Sequence, residues 1–244
     1  MSEGKNSQII ILAVMIAVFG VLVFSTAPWL WAFSRLFPGL EKVLYNLATF
    51  PELVGEHVVL VAISSGMATI AGLLAGIFAT RPTGRDFLPA VNALSSIGQT
   101  FPPVAVLAIA VPVVGFGFKP TIIALFIYGL LPVVRNTIAG IESLDPGVLE
   151  AARGMGMTPA QVLTRVELPL ASPVIMAGVR LSAVINIGTA TLGATIGAGG
   201  LGKPIMAGLI GENPAFILEG AILVGFFAII VDTALGLFTR NPGA

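Results

Sequence analysis

Residues 142–169 read ESLDPGVLEAARGMGMTPAQVLTRVELP, and they are unlike the rest of the chain. The 244-residue protein has twelve basic and twelve acidic side chains, and six of these fall here: Glu142, Asp145, Glu150, Arg153, Arg165 and Glu167. Asp145-Pro146 has the form of an N-cap followed by a proline at the first helical position, which predicts a short helix through about Arg153. Gly154 and Gly156 then permit a sharp turn. Thr158-Pro159-Ala160-Gln161 places a Gln three residues after a Thr cap, the pattern of a capping box. A second short helix is expected there, ended by Leu168-Pro169. Ala151, Ala152 and Gly156 form a small-residue face that permits close approach, and Met155 and Met157 are adaptable apolar contacts. The segment reads either as a docking surface for a partner or as an ordinary interfacial loop.

Outward from this segment the charges thin out. Charged residues make 10% of the chain, against about 25% for a typical soluble protein. The hydrophobic share is 56% and the mean hydropathy is +1.01. This excludes a disordered chain, a nucleic-acid binder acting through a basic field, and nearly every soluble globular domain. There is no cysteine and one histidine, His57, so neither a thiolate nor a multi-histidine metal site can form. No metal site is expected.

Runs free of charge delimit the membrane spans, each needing about 20 mostly apolar residues. Six helices are expected, at 8–27, 56–79, 88–113, 120–139, 172–196 and 215–239, in an all-α polytopic membrane protein. Lys119-Pro120, Ser172-Pro173 and Asn213-Pro214 read as helix starts. Pro102-Pro103 predicts a break within the third span. The first span is too long and too weakly flanked by basic residues for a signal peptide. Lysine and arginine near the span ends divide eight to four: Lys5, Arg81, Arg85, Arg135, Arg153, Arg165, Arg180 and Arg240 against Arg35, Lys42, Lys119 and Lys203. The first group marks the cytoplasmic side, with both termini there. Segment 28–55 is then external, with Trp29, Trp31 and Tyr45 as interfacial anchors.

Polar residues inside the spans are the candidate translocation path: Gln99, Thr100, Phe101, Pro102 and Pro103 in the third, Asn186, Thr189 and Thr191 in the fifth. The competing reading is interhelical hydrogen bonding, worth about 0.6 kcal/mol each. Arg180 and Asp232 fall at equal depth, which suits an ion pair or snorkelling to the surface. Glu219 reads as interfacial. Phe101, Phe116, Phe118 and Tyr128 could face a quaternary ammonium, though core or lipid-facing positions suit them too. Gly72/Gly76 and Gly193/Gly197 are small-residue pairs suited to close helix packing. Gly197-Ala198-Gly199-Gly200-Leu201-Gly202-Lys203-Pro204 imitates a phosphate loop, but Pro204 replaces the Ser/Thr and a membrane helix precedes it, so this chain is not expected to bind nucleotide.

The string Glu150-Ala151-Ala152, three residues, Gly156, nine residues, then Val166-Glu167-Leu168-Pro169 resembles the coupling motif of ATP-binding cassette (ABC) importer permeases. The family pattern is EAA, x3, G, x9, I, x, L, P, and the chain departs from it at Val166. Residues 98–108 (GQTFPPVAVLA), 185–191 (INIGTAT) and 197–202 (GAGGLG) are similar to the family's glycine betaine and choline osmoprotectant permeases. The resemblance implies a type I importer permease fold: a first helix and external segment over 1–55, and a transmembrane core over 56–244 with its coupling loop at 142–169. It implies that Glu150, Ala151, Ala152, Met155, Gly156, Met157, Leu168 and Pro169 serve coupling to an ATPase subunit; a bulky residue at Gly156 is expected to clash or to stiffen the corner. It also implies a second permease subunit, an extracytoplasmic binding protein, and ATP and magnesium held by the ATPase, with no cofactor or catalysis in this chain. The rival readings are a self-sufficient secondary transporter or channel, and a membrane scaffold or enzyme. No intramembrane carboxylate relay supports the former, and no nucleophile-base set the latter.

Overall fold

The computed structural model describes residues 2–238, and all of their side chains except those of 2–5, 94, 95, 97–99 and 238. Its elements are helical throughout. In order they are α1 (Ser2–Phe24), α2 (Ala27–Leu36), α3 (Phe50–Ala79), α4 (Leu88–Thr100), α5 (Pro103–Val114), α6 (Phe118–Glu142), α7 (Pro146–Gly154), α8 (Pro159–Val162), α9 (Leu168–Ala190), α10 (Gly202–Ile210) and α11 (Pro214–Phe238). Short 3-10 segments at Arg85–Phe87 and Thr191–Ile196 and a π-type turn at Leu163–Glu167 complete the path.

Among the described residues five runs, rather than six, are long and apolar enough to cross a bilayer: Asn6–Phe24, Phe50–Ala79, Phe118–Glu142, Pro159–Ile196 and Pro214–Leu237. The expected third span is divided into α4 and α5. Phe101 and Pro102 are extended, with ψ of 140° and 143°. A residue before proline is pushed out of the helical region, and here two such residues follow one another.

Other ends moved for legible reasons. α3 starts at Phe50 instead of 56, where Thr49 accepts a bond from the Glu52 N–H and Pro51 fills the first turn. α6 starts two residues before Pro120, which stays within its first turn. Asn213 caps α11 as expected, its Oδ1 accepting from the Ala215 and Phe216 N–H groups at 3.0 and 3.3 Å. Ser172-Pro173 is not a start, and Leu168-Pro169 does not end α8. The chain is helical without interruption from Pro159 to Ile196. At its π-type turn the Leu168 N–H bonds the Leu163 carbonyl, five residues back. That shift in register lets Pro169 enter as a first-turn residue of α9, while Pro173 lies inside the helix.

α6 is the central helix, packed against α3, α4, α5 and α9. Its contact with α3 depends on Gly72 and Gly76, where an added Cβ would sit 2.7 Å from Val133 and 2.6 Å from Thr137. Of Gly193/Gly197 only Gly193 allows such an approach, a Cβ there lying 2.7 Å from Thr121 of α6, whereas the left-handed Gly197 has no atom within 4 Å of its Cβ position.

The first 55 residues join the core. Val23, Trp29, Phe33, Phe50 and Leu53 form one buried cluster with Leu201, Ala215 and Leu223. Trp29 is therefore not an interfacial anchor: it is buried, and its Nε1 donates to the Leu22 carbonyl at 2.8 Å. Trp31 is exposed, with the Arg35 guanidinium 4.4 Å above its ring. Glu219 is buried rather than interfacial, accepting from the Tyr45 N–H at 3.0 Å. The 40–48 segment covers that end of α11, which sequence periodicity does not reveal.

The glycine run after α9 is a structural return. It folds over the start of α3, where Glu56 accepts from the Gly200 N–H at 2.7 Å and from Lys203 Nζ at 2.9 Å. A Cβ at Gly202 would overlap the Thr191 backbone carbonyl. Gly202→Ala is expected to lower stability by about 2 kcal/mol or more, since backbone cannot yield as a side chain does. An unchanged thermal unfolding midpoint in detergent would contradict this close approach.

Candidate functional site

The 142–169 segment forms a capped, rigid corner. Asp145 Oδ1 accepts from the Gly147 N–H at 2.8 Å and starts α7. At the other end the Gly156 N–H bonds the Arg153 carbonyl at 2.9 Å and the Met157 N–H bonds the Ala152 carbonyl at 3.3 Å. With Gly156 at φ +80°, this is a Schellman stop. α8 opens on a complete capping box between Thr158 and Gln161.

Glu150, Ala151, Met155 and Gly156 face outward, and Met155 is 72% exposed. Ala152 is 2% exposed, so it braces α7 from beneath and is no part of an exposed face. Met157 and Leu168 are half-buried, while Pro169 is exposed. A Cβ at Gly156 would meet nothing within 4 Å. The clash expected there does not exist within this chain, and the constraint is the positive φ.

Behind the corner lies a cleft of about 660 Å³. Its walls carry Arg81, Arg85 and Arg153 together with Glu142, Glu150 and Glu167. Glu167, on the π-type turn, is almost fully buried and is paired with Arg81 at the end of α3. Arg81 also donates to Thr80 Oγ1 at 3.1 Å. A charge-assisted bond thus ties the root of the loop to a membrane helix.

The intramembrane polar residues divide. Asn186 is fully buried and its Nδ2 donates to Ser65 Oγ at 3.0 Å, so it holds α9 to α3 and does not face a path within this chain. Thr191 Oγ1 donates to the Gly188 carbonyl at 2.7 Å and Thr189 is half-buried. Thr100 and Phe101 are exposed at the α4–α5 break, with Pro102 and Pro103 beside them. The side chain of Gln99 lies outside the described residues. Of the aromatic candidates, Tyr128 is buried, whereas Phe101, Phe116 and Phe118 are exposed.

Arg180 and Asp232 meet as a bidentate pair, Nε to Oδ1 at 2.9 Å and Nη2 to Oδ2 at 2.8 Å. Each single reversal, Arg180→Asp or Asp232→Arg, is expected to cost about 2 kcal/mol or more, because the like charges it creates lie at membrane depth. The double exchange should recover most of the loss in thermal unfolding. No recovery would mean the pair contributes nothing as a pair.

Three comparisons bear on this geometry. The family model described as "Binding-protein-dependent transport system inner membrane component" matches residues 68–241. The chain belongs to that family. Its relatives include the osmoprotectant import permease protein OsmY of Salmonella typhimurium, 40% identical over 222 residues, covering 91% of this chain and 92% of that one. The choline transport system permease protein OpuBB of Bacillus subtilis is 40% identical over 186 residues, covering 76% and 85%. The carnitine transport permease protein OpuCB of Listeria monocytogenes is 49% identical over 162 residues, covering 66% and 73%. Among solved structures, the MetNI methionine ABC transporter in an inward-facing conformation matches with a TM-score of 0.70 at 23% identity, over 87% of this chain and 97% of that one. The fold is the type I ABC importer permease fold.

As an inner membrane component of this family, the chain presents Glu150, Ala151, Met155 and Gly156 on one rigid corner and keeps the polar residues of α9 apart from it. Sequence reasoning missed Arg81 and the role of Glu167. Glu167 occupies a variable position of the motif, and Arg81 is 86 residues away, so neither pattern nor spacing joins them.

Proposed function

We propose that this chain is the membrane-spanning permease subunit of an ABC importer that carries glycine betaine, choline or related quaternary amines into the cell, driven by a partner ATPase. The observation that carries the reading is the coupling corner: a capped turn that presents Glu150 and Ala151 outward, rooted in the membrane bundle through Arg81–Glu167, in a chain whose relatives are named for osmoprotectant, choline and carnitine transport. A secondary transporter needs no such surface.

The α4–α5 pair crosses the membrane together as one broken span, which makes six crossings with α1, α3, α6, α9 and α11. Both termini and the coupling corner then face the cytoplasm, in agreement with the eight-to-four distribution of lysine and arginine. The membrane is the cytoplasmic membrane of a bacterium. ATP and magnesium belong to the ATPase, and this chain contributes no catalytic group. A second permease subunit completes the pore, and an extracytoplasmic binding protein delivers the solute. The test is uptake of radiolabelled betaine and choline by the reconstituted complex, with and without binding protein. Uptake that needs neither ATP nor the ATPase subunit would overturn the reading in favour of a secondary transporter. Loss of ATPase co-purification in a Glu150/Ala151 double variant is the second expected result.

A further inference from the structure

Arg135 has no acidic partner among the described residues. It stands seven residues inside the Glu142 end of α6, about 10 Å at 1.5 Å per residue. α6 is enclosed by four helices, yet towards the coupling corner it opens one strip, Arg135, Ala139 and Glu142, spaced i, i+4, i+7. On α4, Asn92, Ser96 and Thr100 are spaced by four and share a face. Ser96 Oγ donates to the Asn92 carbonyl at 2.7 Å, and its lone pair accepts from Arg135 Nη2 at 3.0 Å. Thr100 Oγ1 donates to the Ser96 carbonyl at 3.1 Å.

Ser96 is itself eight residues, about 12 Å, inside the Leu88 end of α4. The bond to it holds the guanidinium against α4. On the transport reading, a polar helix face and an arginine suit a wet passage better than hydrocarbon. A guanidinium has five N–H donors, and Ser96 accounts for one of Arg135's. Among the described residues no carboxylate pairs with it, whereas Arg81 and Arg180 are each paired.

We propose that Arg135, oriented by Ser96, forms a carboxylate-binding subsite on the inward half of the translocation path, favouring solutes with a carboxylate, such as zwitterionic betaines, over carboxylate-free cations such as choline. The guanidinium fork matches a carboxylate, and the same fixed charge repels a solute that is only cationic. This inference rests on the transport function proposed above and names the solute class that function selects.

The test is uptake of betaine and choline by the reconstituted complex at saturating binding protein, for the wild type and for Arg135→Gln, Arg135→Lys and Ser96→Ala. The betaine-to-choline ratio is expected to fall about tenfold in Arg135→Gln, the value of one charge-assisted contact. Smaller falls in the same direction are expected for Arg135→Lys and Ser96→Ala. Equal loss of both solutes would make Arg135 a structural residue and overturn the proposal, as would an unchanged ratio. So would a wild-type ratio that depends on anionic lipid in the liposomes, since the arginine would then hold a headgroup. A wild-type complex that carries neither solute would instead remove the transport reading itself.

Discussion

Gly156→Asp is expected to abolish transport while the protein still inserts and folds. The fold tolerates the change because a Cβ at this position meets no atom within 4 Å. The remaining cost is the left-handed backbone, φ +80°, about 1–2 kcal/mol for an ordinary residue and less for Asp or Asn. Such a cost does not unfold a bundle of this size. The damage falls outside the chain, at the surface where Glu150, Ala151 and Met155 are displayed. A carboxylate there adds bulk and a negative charge beside Glu150. Gly156→Asn separates the two, having the same backbone preference and nearly the same size without the charge. Uptake, surface-inserted protein and ATPase co-purification are the measurements. Full uptake by Gly156→Asp at normal expression would sink the coupling assignment.

Breaking the Arg81–Glu167 pair is expected to be the largest single loss of stability from any charge in the protein. Removing one partner of a buried pair costs about 3–5 kcal/mol, because the other charge is left unpaired. The two partners are not equivalent. The Glu167 side chain is 5% exposed and the Arg81 side chain 26%. Arg81→Ala strands the more buried of the two charges, so it should be the more damaging. Glu167→Gln leaves an arginine that still bonds Thr80 and reaches solvent, and should cost about half as much or less. Thermal unfolding in detergent ranks the two. Equal losses, or the opposite order, would contradict the burial argument. Because this pair roots the 142–169 segment beside the end of α3, both variants should also lose uptake out of proportion to inserted protein.

The short-range features were legible because they are decided within a few residues. Asp145-Pro146, the Thr158–Gln161 box and the positive-φ glycine at 156 each act through hydrogen bonds spanning two to five positions. The division of the third span at Phe101-Pro102 follows from sterics between neighbours, and it was expected as a break. Where a proline could be a start or an interior residue, local chemistry misled. Ser172-Pro173 has the form of a cap, but a π-type turn upstream had already placed the helix in register from Leu168.

Charges and amides inside the membrane were located by sequence but not assigned. Arg180 and Asp232 were found at one depth, and only the packing of α9 on α11 decided that they meet. Asn186 carries the same residue type and depth as a path-lining amide, yet α3 approaches from the side and consumes its donor. Ala152 was placed among the docking residues by its motif, and the axial rotation of α7 turned it inward.

By itself, then, the sequence determined the membrane class, the positions of most spans and the caps of the 142–169 segment, since hydropathy, sterics and capping are properties of neighbouring residues. Tertiary structure decided which polar groups face each other across helices. The Arg81–Glu167 root, the Ser96–Arg135 contact and the burial of Glu219 join residues 86, 39 and 174 positions apart, with Tyr45 as the partner of Glu219. No local rule fixes such pairings, because helix rotation and register are set by the packing of the whole bundle.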